Sequence, residues 1–382
     1  MVMDIELLKK VQVTDFDYFV DTGLFSDEYL AKMGLQLGLS DSRGEQWKTL
    51  RRLLSPAFSM PRIKKTLQSQ NRISRSFVKH LRKQEEEEAT IDIEQDIKKF
   101  AMTCIADVGF GIDANCFDDP ENDFTSKGKA LTEEWRFMMC IFFPSLMLAL
   151  RIPVFNPKST KHFEKLCQKI VEQRKNSKEE RKDILHNFIK AAEESPDLMT
   201  PKMMFKTMVQ FFSDGFETFS GIGKIMIFLI TAHPQVQEQL WEEIDSVVGD
   251  QEDISEEHLA SLPYLDQVKR FQFVICKKIT LCLQVMNEVL RMIPVPNTFR
   301  MCTKDYAVPG TDFTIPKGTK VIIPIVSEQL LKFSKSYILK GGLHFDEEIW
   351  EEPDVFKPER WSSENKAKIP SVAFQPFGFG PR

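Results

Sequence analysis

Residues 201–232 form a long, mostly apolar stretch that opens on Thr200-Pro201 and closes on His233-Pro234. Proline at a first helical position loses no needed hydrogen bond, and proline after the stretch blocks its continuation, so the punctuation predicts one helix. About thirty residues at 1.5 Å each give roughly 45 Å, enough to cross a whole domain. A helix apolar nearly all round belongs at the centre of a structure. Any fold for this chain has to be built around it.

The remaining pattern fits a helical body. Over most of the first 260 residues apolar positions recur at three and four, as in Asp4 to Val11, Gln46 to Leu54 behind Gly44, and Ile91 to Val108. The acidic run Glu85 to Glu88 reads as a solvated loop. After Met301 short strand-like pieces take over, Tyr306 to Thr314 and Thr319 to Val326, with Gly310 and Gly318 as punctuation. The expected fold class is therefore mainly α with a minor β-sheet region (α+β). With no linker-like segment and no internal repeat, residues 1–382 read as a single domain.

Several function classes are disfavoured by composition. A net charge of −5 offers no general attraction to nucleic acid or anionic lipid. Seven cysteines without a CxxC or a metal-knuckle spacing suit free thiols in a reducing compartment. The opening MVMDIELLKKV reads as neither signal peptide nor anchor. Phe137 to Leu150, interrupted by Pro144, is too short to span a bilayer; it reads either as a segment lying among headgroups or as an ordinary core helix end.

Five small constellations carry chemistry. Trp47 and Arg51 are four apart, so an indole N–H and a guanidinium share a helix face and can grip a carboxylate. Asp214-Gly215-Phe216-Glu217-Thr218 places acids and a hydroxyl inside the apolar helix, where an unpaired buried acid is costly. Thr218 can bond back to the carbonyl of residue 214 and loosen one turn, opening a path for water and protons; a packing kink is the plain alternative. Glu288 and Arg291 form an i, i+3 pair, as do Glu133 and Arg136, and on an exposed helix such a pair contributes only about 0.3 kcal/mol. Arg360 sits in the proline-fixed turn Phe356 to Trp361 and completes a buried cluster if it reaches the first pair. The run Pro376 to Arg382 has two glycines flanking Phe379, which lets the backbone approach a flat ligand, and Arg382 offers an anion donor.

In this order the five motifs resemble the cytochrome P450 family, in which WxxxR, Ala/Gly-Gly-x-Asp/Glu-Thr, ExxR, a PxR turn and FxxGxRxC follow one another. HPQVQEQLWEEIDSVVG, LPYLDQV and FKPERW resemble the microsomal animal branch that holds the drug-metabolising family three and the insect detoxifying families. The resemblance implies a cytochrome P450 fold, here incomplete, around a haem cofactor. Trp47, Arg51, Arg300 and Arg382 would bind the propionates, and Phe377 would pack beside the haem. Glu217 and Thr218 would manage protons at the bound oxygen. Glu288, Arg291 and Arg360 would form the structural triad that holds the cysteine loop. Phe212, Asp214, Phe216 and the 104–116 region would face an apolar substrate. O2 would be the co-substrate, and NADPH would supply electrons through a separate reductase, since the chain has no GxGxxG fingerprint. The implied setting is the endoplasmic reticulum membrane, on its cytoplasmic face.

Departures from the pattern add further expectations. The family's ligand cysteine falls two places after the arginine of FxxGxR, so the axial ligand is expected beyond Arg382, and without a thiolate these residues alone should not oxygenate anything. The start resembles the second helix of the fold, so the usual anchor is expected outside the chain. Asp214 stands where the family has Ala or Gly. Residues 268–284 (VKRFQFVICKKITLCLQ) and 327–341 are rich in basic residues and break familiar wording, so both read as translated introns. Two rivals remain at this point: a haem-thiolate isomerase or dehydratase, and an inactive fragment unable to ligate haem.

Overall fold

The computed structural model describes residues 4–22, 38–39, 42–87, 90–114, 116–119, 122–133, 135–136, 139–140, 143–176, 183–249, 251, 253–255, 280–293, 297–325 and 342–380. Helices dominate them, with two small antiparallel sheets of two strands each. Contacts gather into two compact units, one of residues 25–224 and 253–256, the other of residues 1–24, 225–252 and 257–382.

The first unit holds helices α1 (Gly44–Leu54), α2 (Leu67–Glu86), α3 (Ile93–Ile105), α4 (Asp123–Leu131), α5 (Pro157–Asn176) and α6 (Ile184–Glu194), with α7 (Pro201–Ala232) through residue 224. Polar side chains start these helices where the sequence offers them. Asp92, Asn122 and Asp183 accept from the backbone of Gln95, Thr125 and His186, and Thr200 accepts from Met203 N at 3.2 Å. Beyond Ile105 the chain continues as a π-helical turn, Ala106–Phe110, ended by Gly111 at φ +67°. The acidic run was expected to be a loop, yet α2 extends through Glu86, because adding two further residues costs little once α2 is formed.

Among the described residues α7 is the one helix long and apolar enough, by length and composition, to cross a bilayer. Its apolar side is instead used inside the unit: Met204, Met208, Val209, Phe212 and Phe216 are buried in the main core cluster. Phe212 meets Phe163 at 4.5 Å between centroids and Phe124 at 5.4 Å, and Phe216 stacks one turn further on at 6.0 Å. Each such ring, taken fully out of water, stabilises by about 1.5–3 kcal/mol.

The second unit contains the end of α7 from residue 225, α8 (Pro234–Val248), α9 (Thr280–Met292) and the sheets. Strand β1 (Asn297–Met301) pairs antiparallel with β4 (Lys320–Pro324), placing Arg300 opposite Val321. Strands β2 (Tyr306–Ala307) and β3 (Thr314–Ile315) form a separate pair. Two expectations change here. Tyr306 to Thr314 is a hairpin turning at Gly310 (φ +79°), and the sheet begins at Asn297, ahead of the Met301 boundary. The α9 N-terminus is closed by another helix: Glu243 of α8 accepts from the backbone of Leu281 and Cys282 at 3.0 and 3.2 Å, a carboxylate at the positive end of the helix dipole. Residues 280–284 of the first suspected insertion are therefore the opening turns of α9, whereas 268–279 and 327–341 lie outside the described residues.

Candidate functional site

On α1, Trp47 and Arg51 are both half-buried, one turn apart, above the buried Leu50 and Leu54. Gly44 opens the helix at φ +50°, a conformation that disfavours any side chain, and Glu45 pairs with Lys48 at 2.9 Å on the outer side. Burial lowers the pKa of Arg51 below its usual value, yet a guanidinium remains charged. The donor set is thus present on one face.

Helix α7 stays helical through Asp214 to Thr218, so the loosening expected there does not break it. The bond itself is made: the Thr218 hydroxyl donates to the Asp214 carbonyl at 2.5 Å and approaches that of Gly215 at 3.5 Å. Gly215 packs closely on α3, since a Cβ there would lie 3.2 Å from Ile105 Cδ1. Glu217 accepts the hydroxyl of Thr132, which closes α4. Asp214 and Thr218 share the open face. Phe212 and Phe216, expected against the substrate, point the other way and are fully or almost fully buried in the ring cluster, as are Ile105, Ala106 and Phe110 of the 104–116 region. The structure gives these residues a packing role, because helical spacing sets them opposite the 214/218 stripe.

The second unit holds a buried polar network. Glu288 on α9 has no exposed surface and accepts five donors. Oε1 takes Arg291 Nη2 (2.8 Å), Lys357 N (3.2 Å) and Arg360 Nε (3.3 Å). Oε2 takes Arg291 Nε (3.0 Å) and Trp361 Nε1 (2.7 Å). The remaining guanidinium nitrogens donate to carbonyls, Arg291 Nη1 to His344 (2.8 Å) and Arg360 to Glu351 and Glu352. Lone pairs and protons are thus matched, the condition under which a buried ion cluster is tolerated. The resemblance brought Glu288, Arg291 and Arg360 together, and the geometry does the same.

Motif reading missed the next residues of this network. His344 donates from Nδ1 to the Arg291 carbonyl (3.0 Å) and accepts the Gln375 N–H at Nε2 (2.8 Å), which fixes its tautomer. Burial pushes its pKa down to about 3, so the ring is neutral at any ordinary pH. Gln375 exchanges side-chain hydrogen bonds with Gln12 at 2.8 and 2.9 Å. Gly380 stands at φ +86°, and a Cβ there would run into the Gln12 carbonyl, so its close backbone approach is to the N-terminal segment. The available signal was a lone polar residue inside an apolar run, His344 between Leu343 and Phe345, and Gln375 between Phe374 and Pro376.

Arg300 on β1 is buried and lies over the Phe16 ring at 5.3 Å. Phe377 is half exposed on the loop whose Gly378 stands at φ +79°. Arg382 lies outside the described residues. Desolvation raises the thiols of Cys104 and Cys167 to about 12 and also pushes up Cys116, Cys282 and Cys302. Trp47 and Arg51 offer an indole and a guanidinium donor from one face of α1, the donor chemistry that a haem propionate would need. Among the described residues no cysteine lies on the glycine-containing loop Pro376 to Gly380.

Comparison with known proteins agrees with the motif order. The family model for Cytochrome P450 matches residues 1–270 and 267–382. The whole chain aligns with Cytochrome P450 3A28 of Bos taurus at 29% identity over 70% of that protein. It also aligns in full with Probable cytochrome P450 6a14 of Drosophila melanogaster (27%, covering 73%) and with Lithocholate 6-beta-hydroxylase of Mesocricetus auratus (28%, covering 71%). Motifs, helical architecture and these alignments together place the chain in the cytochrome P450 family of haem-dependent oxidoreductases.

Proposed function

We propose that this protein is a monooxygenase that inserts one oxygen atom of O2 into an apolar small molecule, with electrons from NADPH delivered by a separate reductase. The observation that carries the reading is the open face of α7, where the Thr218 hydroxyl is held on the Asp214 carbonyl beside Glu217. An alcohol fixed next to an acid in an apolar helix is what proton delivery to reduced oxygen requires, and an isomerase has no use for it. Haem, when bound, supplies the oxygen chemistry itself. Trp47, Arg51, Arg300 and Arg382 are the proposed propionate donors, with Phe377 packed beside the haem.

The Glu288, Arg291 and Arg360 cluster is proposed to hold the loop that carries the axial cysteine, acting through His344 and Gln375. Residues 1–382 are read as one cytochrome P450 domain, because the family match runs through both compact units. A setting at the endoplasmic reticulum membrane is supported by Phe143, Leu146 and Leu150, apolar side chains 45–59% exposed around the short helix Pro144–Ala149. The Mesocricetus relative is named for hydroxylating lithocholate, which supports oxygen insertion as the reaction type.

The test is a carbon monoxide difference spectrum of the reduced full-length gene product, followed by oxygen uptake with NADPH and reductase. A Soret band at the thiolate position and substrate-dependent uptake are expected. Haem binding without oxygen uptake would favour the isomerase or dehydratase reading, and no haem uptake would favour an inactive protein.

A further inference from the structure

Gln12 and Gln375 meet across 363 positions of sequence, and both are fully or almost fully buried. Gln12 Nε2 donates to Gln375 Oε1 at 2.8 Å, and Gln375 Nε2 returns the bond to Gln12 Oε1 at 2.9 Å. Their chain neighbours Leu8, Val11 and Val372 belong to one apolar cluster. Two apolar side chains of the same size would serve such a place nearly as well, since a buried hydrogen-bonded pair returns little beyond its desolvation cost. What a matched pair of amides adds is one specified orientation.

That orientation is imposed on the loop from residue 375 to residue 380. Gln375 is also held at its backbone, whose N–H donates to His344 Nε2 at 2.8 Å, and its side-chain amide donates to the Val372 carbonyl at 2.6 Å. Its carbonyl accepts Gly378 N at 3.2 Å and closes the turn around Phe377. At the other end of the loop Gly380, at φ +86°, lies so close on the Gln12 carbonyl that no Cβ would fit. Gln12 thus meets both ends of the loop, through its side chain at 375 and its carbonyl at 380. It is itself well anchored: nearby, Asp15 accepts the Tyr306 hydroxyl at 2.6 Å and the Tyr18 carbonyl accepts Thr303 N at 2.8 Å. We infer that Gln12 is a positioning residue for the axial ligand, with the N-terminal segment as the fixed clamp that sets where the chain after Gly380 leads. This rests on the proposed function, in which that chain carries the axial cysteine.

Gln12→Leu strands the Gln375 amide without opening a large space, and two measurements on the full-length protein read the consequence. The first needs no haem: amide hydrogen exchange across residues 372–380 should quicken roughly tenfold, the scale of one buried amide left without its partner, while β1 keeps its protection. The second is the carbon monoxide spectrum well below the unfolding temperature, in which the ratio of complexes absorbing away from the thiolate position to those at it should rise by a similar factor. Gln12→Leu combined with Gln375→Leu should restore both readings, because no amide is left stranded. Ile315→Ala on β3 thins the same apolar cluster and should lower the melting temperature without moving the spectrum. Should Gln12→Leu fail to fold, Gln12→Asn, one methylene too short to reach Gln375, takes its place. Exchange as in the wild type, faster exchange with an unmoved spectrum, a double variant no better than the single one, or an equal spectral change in Ile315→Ala would each overturn the inference while a thiolate spectrum of the wild type leaves the proposed function standing. A full-length wild type that takes up no haem would remove both.

Discussion

Glutamine in place of Glu288 keeps the shape of the buried cluster and removes its charge. Five donors converge on the two carboxylate oxygens, and an amide offers only one oxygen to them. With that oxygen in the Oε1 position, Arg291 Nε and Trp361 Nε1 face an NH2 group; in the Oε2 position, Arg291 Nη2, Lys357 N and Arg360 Nε do. Either way at least two buried donors lose their acceptor, and two buried guanidiniums lose their only carboxylate within the cluster. Removing one partner of a buried pair costs about 3–5 kcal/mol, and two lost charge-assisted bonds at about 1.5–3 kcal/mol each give the same range. Trp350 and Trp361 are buried with ring centroids 5.7 Å apart, so tryptophan fluorescence reports this region during urea unfolding. At a slope of about 2–3 kcal/mol/M the midpoint should fall by about 1–2 M. The apolar triple variant Glu288→Met, Arg291→Met, Arg360→Leu should unfold later than the single variant, because it leaves no stranded charge. A midpoint within about 0.3 M of wild type for Glu288→Gln would refute the reasoning, since the carboxylate would then be carrying neither charge nor acceptors.

Two further predictions concern the same unit. His344 stays neutral in the folded protein down to about pH 3, whereas an unfolded histidine takes up a proton below its ordinary value near 6.5. The unfolded state therefore binds more protons between those limits, and this group's contribution is intact above pH 6.5 and lost as pH falls towards 3. His344→Gln should show a shallower fall of melting temperature from pH 6.5 to 4 than the wild type, and parallel acid limbs would contradict it. Gly380→Ala combines a left-handed φ with collision against the Gln12 carbonyl, while Gly310→Ala meets only the φ penalty in open space. The second should cost about 1–2 kcal/mol and the first clearly more, as read from thermal unfolding; equal losses would mean the N-terminal segment yields freely.

Legibility differed from region to region for physical reasons. Helix α7 was plain because proline and a side-chain cap act locally, and both ends fell where Thr200-Pro201 and His233-Pro234 put them. The difference between Glu288–Arg291 and Glu133–Arg136 was invisible, because i, i+3 spacing says nothing about burial. One pair has no exposed surface, and the other is 30% and 16% exposed. Arg360 joins Glu288 across 72 positions, a contact that only tertiary structure or a family motif supplies. His344 and Gln375 escaped notice since a single polar residue in an apolar run matches no pattern, although an unpartnered one there would have been expensive. Phe212 and Phe216 were placed on the wrong side of α7 because the sequence shows that the helix is greasy all round without showing which stripe is covered.

That division of α7 into two stripes yields a last prediction. Phe212 and Thr218 are six residues apart, about 9 Å along the axis and about 120° apart around it, one buried and the other exposed, so little coupling is expected between them. Phe212→Leu shortens a ring packed against Phe110, Phe124, Phe163 and Phe216, and should lower stability by about 1–3 kcal/mol through lost contact and a partial cavity. Thr218→Val removes the hydroxyl without changing shape, and because that hydroxyl lies on the exposed stripe its loss should move the melting temperature little. If the proposed function holds, Thr218→Val raises the ratio of oxygen consumed to product formed, while Phe212→Leu leaves that ratio unchanged in the surviving folded protein. The double variant should show both effects added, each unaltered by the other. A strong interaction between them would mean that the packing stripe and the chemical stripe are one mechanical unit, and that the helix moves as a body when its core is disturbed.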